Sequence, residues 1–143
     1  MTVIACDGVT AAADSMSTAD EQKFRTLKPK LVRKSGVLFG FFGAESGRHV
    51  LMEWYLNGAD PAEIPAGLGG AWHMVVFHKK KAVVYHKDLL YGDDYEYPCA
   101  FGSGGQFAQG ALSAGATAVE AAKIACKHCT TCGGPIRSKQ LNE

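Results

Sequence analysis

The chain contains no run approaching the 18 or so uninterrupted apolar residues of a membrane-spanning helix, so a helical membrane span is excluded. Charge of one sign is equally missing: 15 Lys and Arg stand against 14 Asp and Glu, for a net +1. The longest basic run is Lys79-Lys80-Lys81, which predicts no nucleic-acid partner. The opening Met-Thr-Val-Ile-Ala-Cys-Asp has no basic stretch ahead of an apolar one, which predicts no signal peptide. Cysteine is odd in number, 5 in all, and in a chain without an export signal this predicts reduced thiols in a cytoplasmic protein rather than a disulfide framework. The histidines, His49, His73, His78, His86 and His128, show no i, i+4 pairing of the kind that binds metal on a helix, and read as surface or half-buried residues. Internal repeats and low-complexity segments are absent.

What is present suits a globular fold. At 143 residues and 15.2 kDa, with 47% hydrophobic and 20% charged residues, the chain fits one domain spanning 1–143 that can build a core without staples. Residues 3–6 and 9–13 flank Asp7-Gly8, a pair suited to a tight hairpin turn. A polar stretch follows over 14–29, then strands over 30–34 and 37–42 around Ser35-Gly36. Gly47, Val50, Leu51, Trp54 and Tyr55 fall on one face of a predicted helix over 44–57 ended by Gly58, and Trp54 and Tyr55 read as core. Residues 72–77 and 82–85 predict a second hairpin, with a short strand over 89–91. Two helices close the chain, over 104–113 and from Thr117, whose Glu120 completes a capping box before Gly133-Gly134-Pro135 stops the helix. This order predicts layered helices and a mostly antiparallel sheet.

Thr2 is the first residue with chemical interest. A small second residue permits removal of Met1, and a free N-terminal threonine carries a nucleophile and its own base, because an α-amine titrates near 7.7–8.0. Taken alone, Thr2 reads more readily as a plain strand residue after Met, since many chains begin Met-Thr. Its context is more specific: Thr2-Val-Ile-Ala, Ala12-Ala13-Asp14-Ser15, Lys28-Pro-Lys30-Leu-Val, Gly40-Phe-Phe-Gly43-Ala44 and Phe101-Gly-Ser103-Gly-Gly105 occur in one order. That order resembles the proteasome β-subunit family, and most closely its small bacterial branch, the peptidase of the HslUV system.

The resemblance runs from Thr2 to about Pro135. It implies an α+β fold, a four-layer αββα N-terminal-nucleophile hydrolase sandwich with mostly antiparallel sheets, shortened at the C-terminus. It also implies a threonine-type endopeptidase of unfolded polypeptides, assembled as homo-oligomeric stacked rings beside an AAA+ ATP-dependent unfoldase, with no metal or organic cofactor. Carried over by position, Thr2 is the nucleophile, and Asp14 and Lys30 keep the family's spacing of sixteen (30 − 14). Lys28 is the rival for the lysine role; Lys30 is preferred because Leu31 and Val32 continue the strand. Gly43 matches the glycine whose N–H faces the oxyanion, and it also suits a turn into the following helix. Ser103 matches the serine bonded to the terminal amine, or else caps a helix. Thr18 would pair with an extended peptide, while Phe41 and Glu45 would border a pocket, with Phe41 also readable as core.

Two departures accompany the match. The first hairpin is short and little follows Pro135, which predicts that one sheet loses its outer edge. Where family members that carry an Asp and a Ser before Gly-Gly would place them, this chain has Cys129 and Cys132 before Gly133-Gly134. Cys126, His128, Cys129 and Cys132 therefore raise a competing reading as soft metal ligands, weighed against Cys126 and Cys129 continuing the apolar stripe of a helix. Residues 102–105 could also cradle a phosphate, although no Lys-Ser/Thr follows.

Overall fold

The computed structural model describes residues 2–19, 22–44 and 47–142. Strands β1 (Ile4–Cys6) and β2 (Thr10–Ala13) pair antiparallel with Cys6 opposite Ala11. That register centres the turn on Gly8-Val9, one residue beyond the predicted Asp7-Gly8, and Gly8 supplies the positive φ of 96° required at the first central position. Asp7 acts as a clamp instead. Its Oδ1 accepts from the N–H groups of Val9 at 2.9 Å and Thr10 at 2.8 Å, and its Oδ2 accepts from Ala118 N–H at 2.9 Å. Burial works to raise the Asp7 carboxyl, but these backbone donors outweigh it and hold the group below its ordinary value.

A polar ribbon, β3 (Met16–Ala19) with β4 (Gln22–Arg25), leads to β5 (Leu31–Lys34) and β6 (Val37–Gly43). Helix α1 (Arg48–Leu56) and a 3-10 turn at Pro61–Glu63 separate these from β7 (Trp72–Phe77), β8 (Lys81–His86) and β9 (Leu89–Glu96). Strand β10 (Cys99–Phe101), helices α2 (Gly105–Ser113) and α3 (Ala118–His128), and β11 (Arg137–Gln140) complete the order. Two antiparallel sheets result, β10-β1-β2-β11 and β5-β6-β7-β8-β9.

Strand alternation divides the apolar residues among three interfaces. Ile4, Cys6, Ala11 and Ala13 of the first sheet meet Leu38, Val75, Phe77 and Val84 of the second. The opposite faces of β1 and β2, through Val3, Ala5 and Ala12, lie under Ala108 and Leu112 of α2 and Ala118, Ala121, Ala122 and Ala125 of α3. These small side chains let the helices approach the sheet closely. Phe39, Phe41, Met74, Val76 and Tyr85 face Leu51, Met52 and Trp54 of α1, giving four layers in the order helix, sheet, sheet, helices. The Thr117–Glu120 capping box forms in both directions, at 3.2 and 2.9 Å.

Several sequence-based boundaries are corrected. The stretch 14–29 contains the β3–β4 ribbon, and β9 runs to Glu96 rather than stopping at Tyr91. Helix α1 begins at Arg48, after Gly47 with φ 81°, and α3 ends at His128 with Cys129 already extended. The expected bare sheet edge is filled by β11, whose Arg137 to Gln140 pair with Ala13 to Thr10 of β2.

Two predictions follow from this packing. A Cβ on Gly40 would stand 2.7 Å from Val75 Cγ1 and 3.2 Å from Ile4 Cδ1, between the sheets. Gly40→Ala is expected to cost about 1–3 kcal/mol in urea denaturation through overpacking, and an unchanged midpoint would show the layers are looser than described. A depressed carboxyl contributes stability above its unfolded pKa, roughly 4, and loses it as pH falls through the folded value. Asp7→Asn is thus expected to lower the urea midpoint at pH 7, with the gap to the parent closing as pH falls below the ordinary carboxylate range; a pH-independent gap contradicts the clamp's charge.

Candidate active site

The ends of both sheets meet at Thr2. Thr2 stands two residues before the first residue of β1, Asp14 follows β2, Lys30 precedes β5, and Ser103 lies between β10 and α2. Asp14 N–H donates to Val3 O at 3.2 Å and Phe41 N–H donates to Lys30 O at 2.9 Å, so main-chain pairing carries both ionic residues to the same place. All three of Thr2, Asp14 and Lys30 are buried.

Lys30 Nζ donates to Thr2 Oγ1 at 3.1 Å, to Asp14 Oδ1 at 2.8 Å and to Met16 O at 2.7 Å. An ammonium has three protons, and these acceptors suffice for them. Asp14 is satisfied in turn: Oδ1 also accepts from Val3 N–H at 3.2 Å and Oδ2 from Gly133 N–H at 3.1 Å. A cation held against a hydroxyl oxygen favours its ionised form, and the Asp14 carboxylate is the buried counter-ion of that cation. Of the two lysines weighed from the sequence, Lys30 is the one whose Nζ lies against Thr2 and Asp14.

Ser103 closes the other side. Its Oγ accepts from Thr2 N at 3.2 Å and lies 2.9 Å from Thr131 Oγ1. The chain can come this close only because Gly102 has φ 92° and no side chain: a Cβ there would stand 2.2 Å from Thr2 O. Gly104 N–H donates to the same carbonyl at 3.1 Å. Helix α2 is capped by Gly104 without a side-chain bond, so Ser103 is not its cap.

The remaining candidates are placed differently. Gly43 ends β6 at φ 83°, and a Cβ there would meet Ala71 O at 2.2 Å, so the backbone alone demands glycine. Phe41 is core beneath α1, stacked on Phe39 at 6.4 Å between centroids with the Arg48 guanidinium 5.0 Å from its ring. Thr18 stands in β3 opposite Lys23, and Glu45 lies outside the described residues. Trp54 and Tyr55 pack against Tyr85 as core residues. Sequence reasoning missed Met16 O, Gly133 N–H and Thr131. The first two are main-chain groups with no residue signature, and Thr131 was hidden between two cysteines that drew the attention. Among the described residues no three His, Cys, Asp or Glu side chains converge as a metal site.

Asp14→Ala would strip a partner from Lys30, Val3 N–H and Gly133 N–H at once. The expected loss is about 3–5 kcal/mol of unfolding free energy, measured by urea denaturation. A loss under about 1 kcal/mol, the worth of an exposed pair, would show that the cluster is solvated.

No family model matches the chain, and no curated protein matches it by sequence. Solved structures do. Thiobacillus denitrificans BPH superposes with a TM-score of 0.76 at 16% identity, covering 99% of this chain and 98% of that one. Eukaryotic HslV from Trypanosoma brucei gives 0.76 at 20% identity, covering 97% of each chain. Thiobacillus denitrificans BPH in complex with epoxomicin gives 0.71 at 16% identity over 99% and 98%. At these identities the likeness is one of fold: the chain shares with HslV a four-layer arrangement of helix, sheet, sheet and helices.

Proposed function

We propose that the chain is a threonine-type peptidase of the proteasome β-subunit family, acting as a single domain with Thr2 as nucleophile. The observation that carries this reading is the buried 3.1 Å contact from Lys30 Nζ to Thr2 Oγ1, with Asp14 as counter-ion. A peptide nitrogen is no base, since its lone pair is delocalised into the carbonyl. Cleavage of the Met1–Thr2 bond is therefore the first requirement.

In the mature chain the Thr2 hydroxyl attacks the carbonyl carbon of the scissile peptide and its proton passes to the Thr2 α-amine. Lys30 lowers the cost of charge on Oγ1, and Ser103 holds the amine toward it. The carbonyl electrons collect on oxygen, where Gly43 N–H stabilises the oxyanion. Collapse breaks the C–N bond, the departing amine takes the proton from the Thr2 ammonium, and water then hydrolyses the ester. Thr18 would pair with the substrate main chain, and Phe41 and Glu45 would border the pocket for the residue before the cleaved bond.

The substrate class is unfolded polypeptide, enclosed in homo-oligomeric stacked rings in the cytoplasm and supplied by an AAA+ ATP-dependent unfoldase. HslV among the similar structures supports this assembly, and the epoxomicin complex of the Thiobacillus protein supports the same ligand for this chain. Cleavage of a fluorogenic peptide tests the proposal. Thr2→Ala should abolish turnover and Lys30→Ala should lower it at least about a hundredfold, the scale of losing one preorganised electrostatic group, with the assembly retained by sedimentation. Normal turnover in either variant would overturn the assignment, and an inactive parent with Met1 in place would leave a non-catalytic ring subunit.

A further inference from the structure

The chain from Cys129 to Gly133 touches both sides of the Thr2 site, and the catalytic reading uses neither of its cysteines. Cys129 and Cys132 are both free thiols with Sγ atoms 3.4 Å apart, in a turn where Cys132 N–H donates to Cys129 O at 3.5 Å. A disulfide needs about 2.05 Å, so the sulfurs have little more than an ångström to close. The surroundings tie this pair to Ser103. Cys132 Sγ lies 3.9 Å from Ser103 Oγ, and Cys129 Sγ lies 3.2 Å from Thr131 Oγ1, which itself contacts Ser103 Oγ at 2.9 Å. The next residue, Gly133, donates to Asp14 and accepts from Ser15 N–H at 3.0 Å.

We propose that Cys129 and Cys132 are a reversible disulfide site that switches the Ser103 side of the Thr2 site. Its effect on turnover rests on the peptidase reading; its formation does not. The oxidant is a small-molecule disulfide such as glutathione disulfide. Cys129 thiolate attacks one sulfur of the oxidant, breaking its S–S bond and releasing one glutathione thiolate, which takes a proton. Cys132, having lost its proton to solvent, attacks the Cys129 sulfur of the mixed disulfide and expels the second glutathione. Two protein thiols are oxidised, one disulfide is reduced to two thiols, and the protons balance.

The two cysteines are differentiated for these roles. Burial alone would raise the Cys129 thiol, but hydrogen bonds with Thr131, Cys132 and Ser103 outweigh it and hold the group below its ordinary value, the property of an attacking thiol. Burial pushes Cys132 up to about 12 and keeps it as the resolving partner. Closing the bond removes both S–H groups from the Thr131–Ser103 network. It also moves a sulfur packed so tightly that a Cβ on Gly104 would stand 2.8 Å from it.

The test incubates the whole protein with reduced or oxidised glutathione, then alkylates free thiols and maps them by peptide mass. Amide hydrogen exchange over 102–105 and 131–134 and the rate of peptide cleavage are read on the same samples. The expected result is loss of alkylation at Cys129 and Cys132 together, altered exchange in both segments, at least tenfold slower cleavage, and full recovery with dithiothreitol. Cys129→Ser should show no response to oxidised glutathione in any readout. Both cysteines still alkylated, or a disulfide formed with exchange unchanged in both segments, would overturn the proposal. A protein inactive in both buffers that nevertheless forms the pair and shifts exchange would support the switch and remove the peptidase reading.

Discussion

The structure depends on a lysine ammonium held out of water. Moving such a charge inside costs several kcal/mol unless its protons find acceptors and its charge a counter-ion. Lys30 finds Asp14, Met16 O and the Thr2 hydroxyl, and Asp14 in turn collects Val3 and Gly133 N–H. Because these residues come from four stretches of chain, at 2–3, 14–16, 30 and 133, the polar requirement pins the N-terminus, the end of β2, the start of β5 and the turn before β11 to one point.

That requirement also explains why the site is where it is. Interiors of both sheets are filled by apolar side chains facing one another, and they offer no acceptor for an ammonium. Sheet ends do, since strands terminate there and leave main-chain groups free to turn inward. Glycines then admit the backbone: Gly102 lets one loop reach Thr2 O, and Gly43 lets another pass Ala71 O. Fold and site are thus one arrangement, in which the hydroxyl that could act on a substrate is also an acceptor for the buried lysine.

Elements with a strong apolar period were legible in the sequence. Strands β1, β2, β6, β7 and β8 are largely apolar runs buried on both faces, and the buried residues of α1 fall at helical spacing. Elements stabilised by pairing alone were not. Strand β11, Arg-Ser-Lys-Gln, has no apolar residue and exists because β2 offers it a ladder; β9 is polar beyond Tyr91 and follows β8 as an edge. The hairpin turn shifted by one residue because the Asp7 side chain was wanted at the N-terminus of α3, a contact 111 residues away that no local pattern encodes. Of the candidate site, Thr2, Asp14, Lys30 and Ser103 were legible only through order and resemblance. Their convergence, and the main-chain groups that complete it, come from topology.

The central claim is that Thr2, once freed, is an activated nucleophile. It is tested most directly by the intact mass of protein purified from cells, taken before and after exposure to a threonine-directed β-lactone. The account predicts a mass lacking Met1 and a single adduct that maps to Thr2. A chain that keeps Met1 and gains no adduct would contradict it.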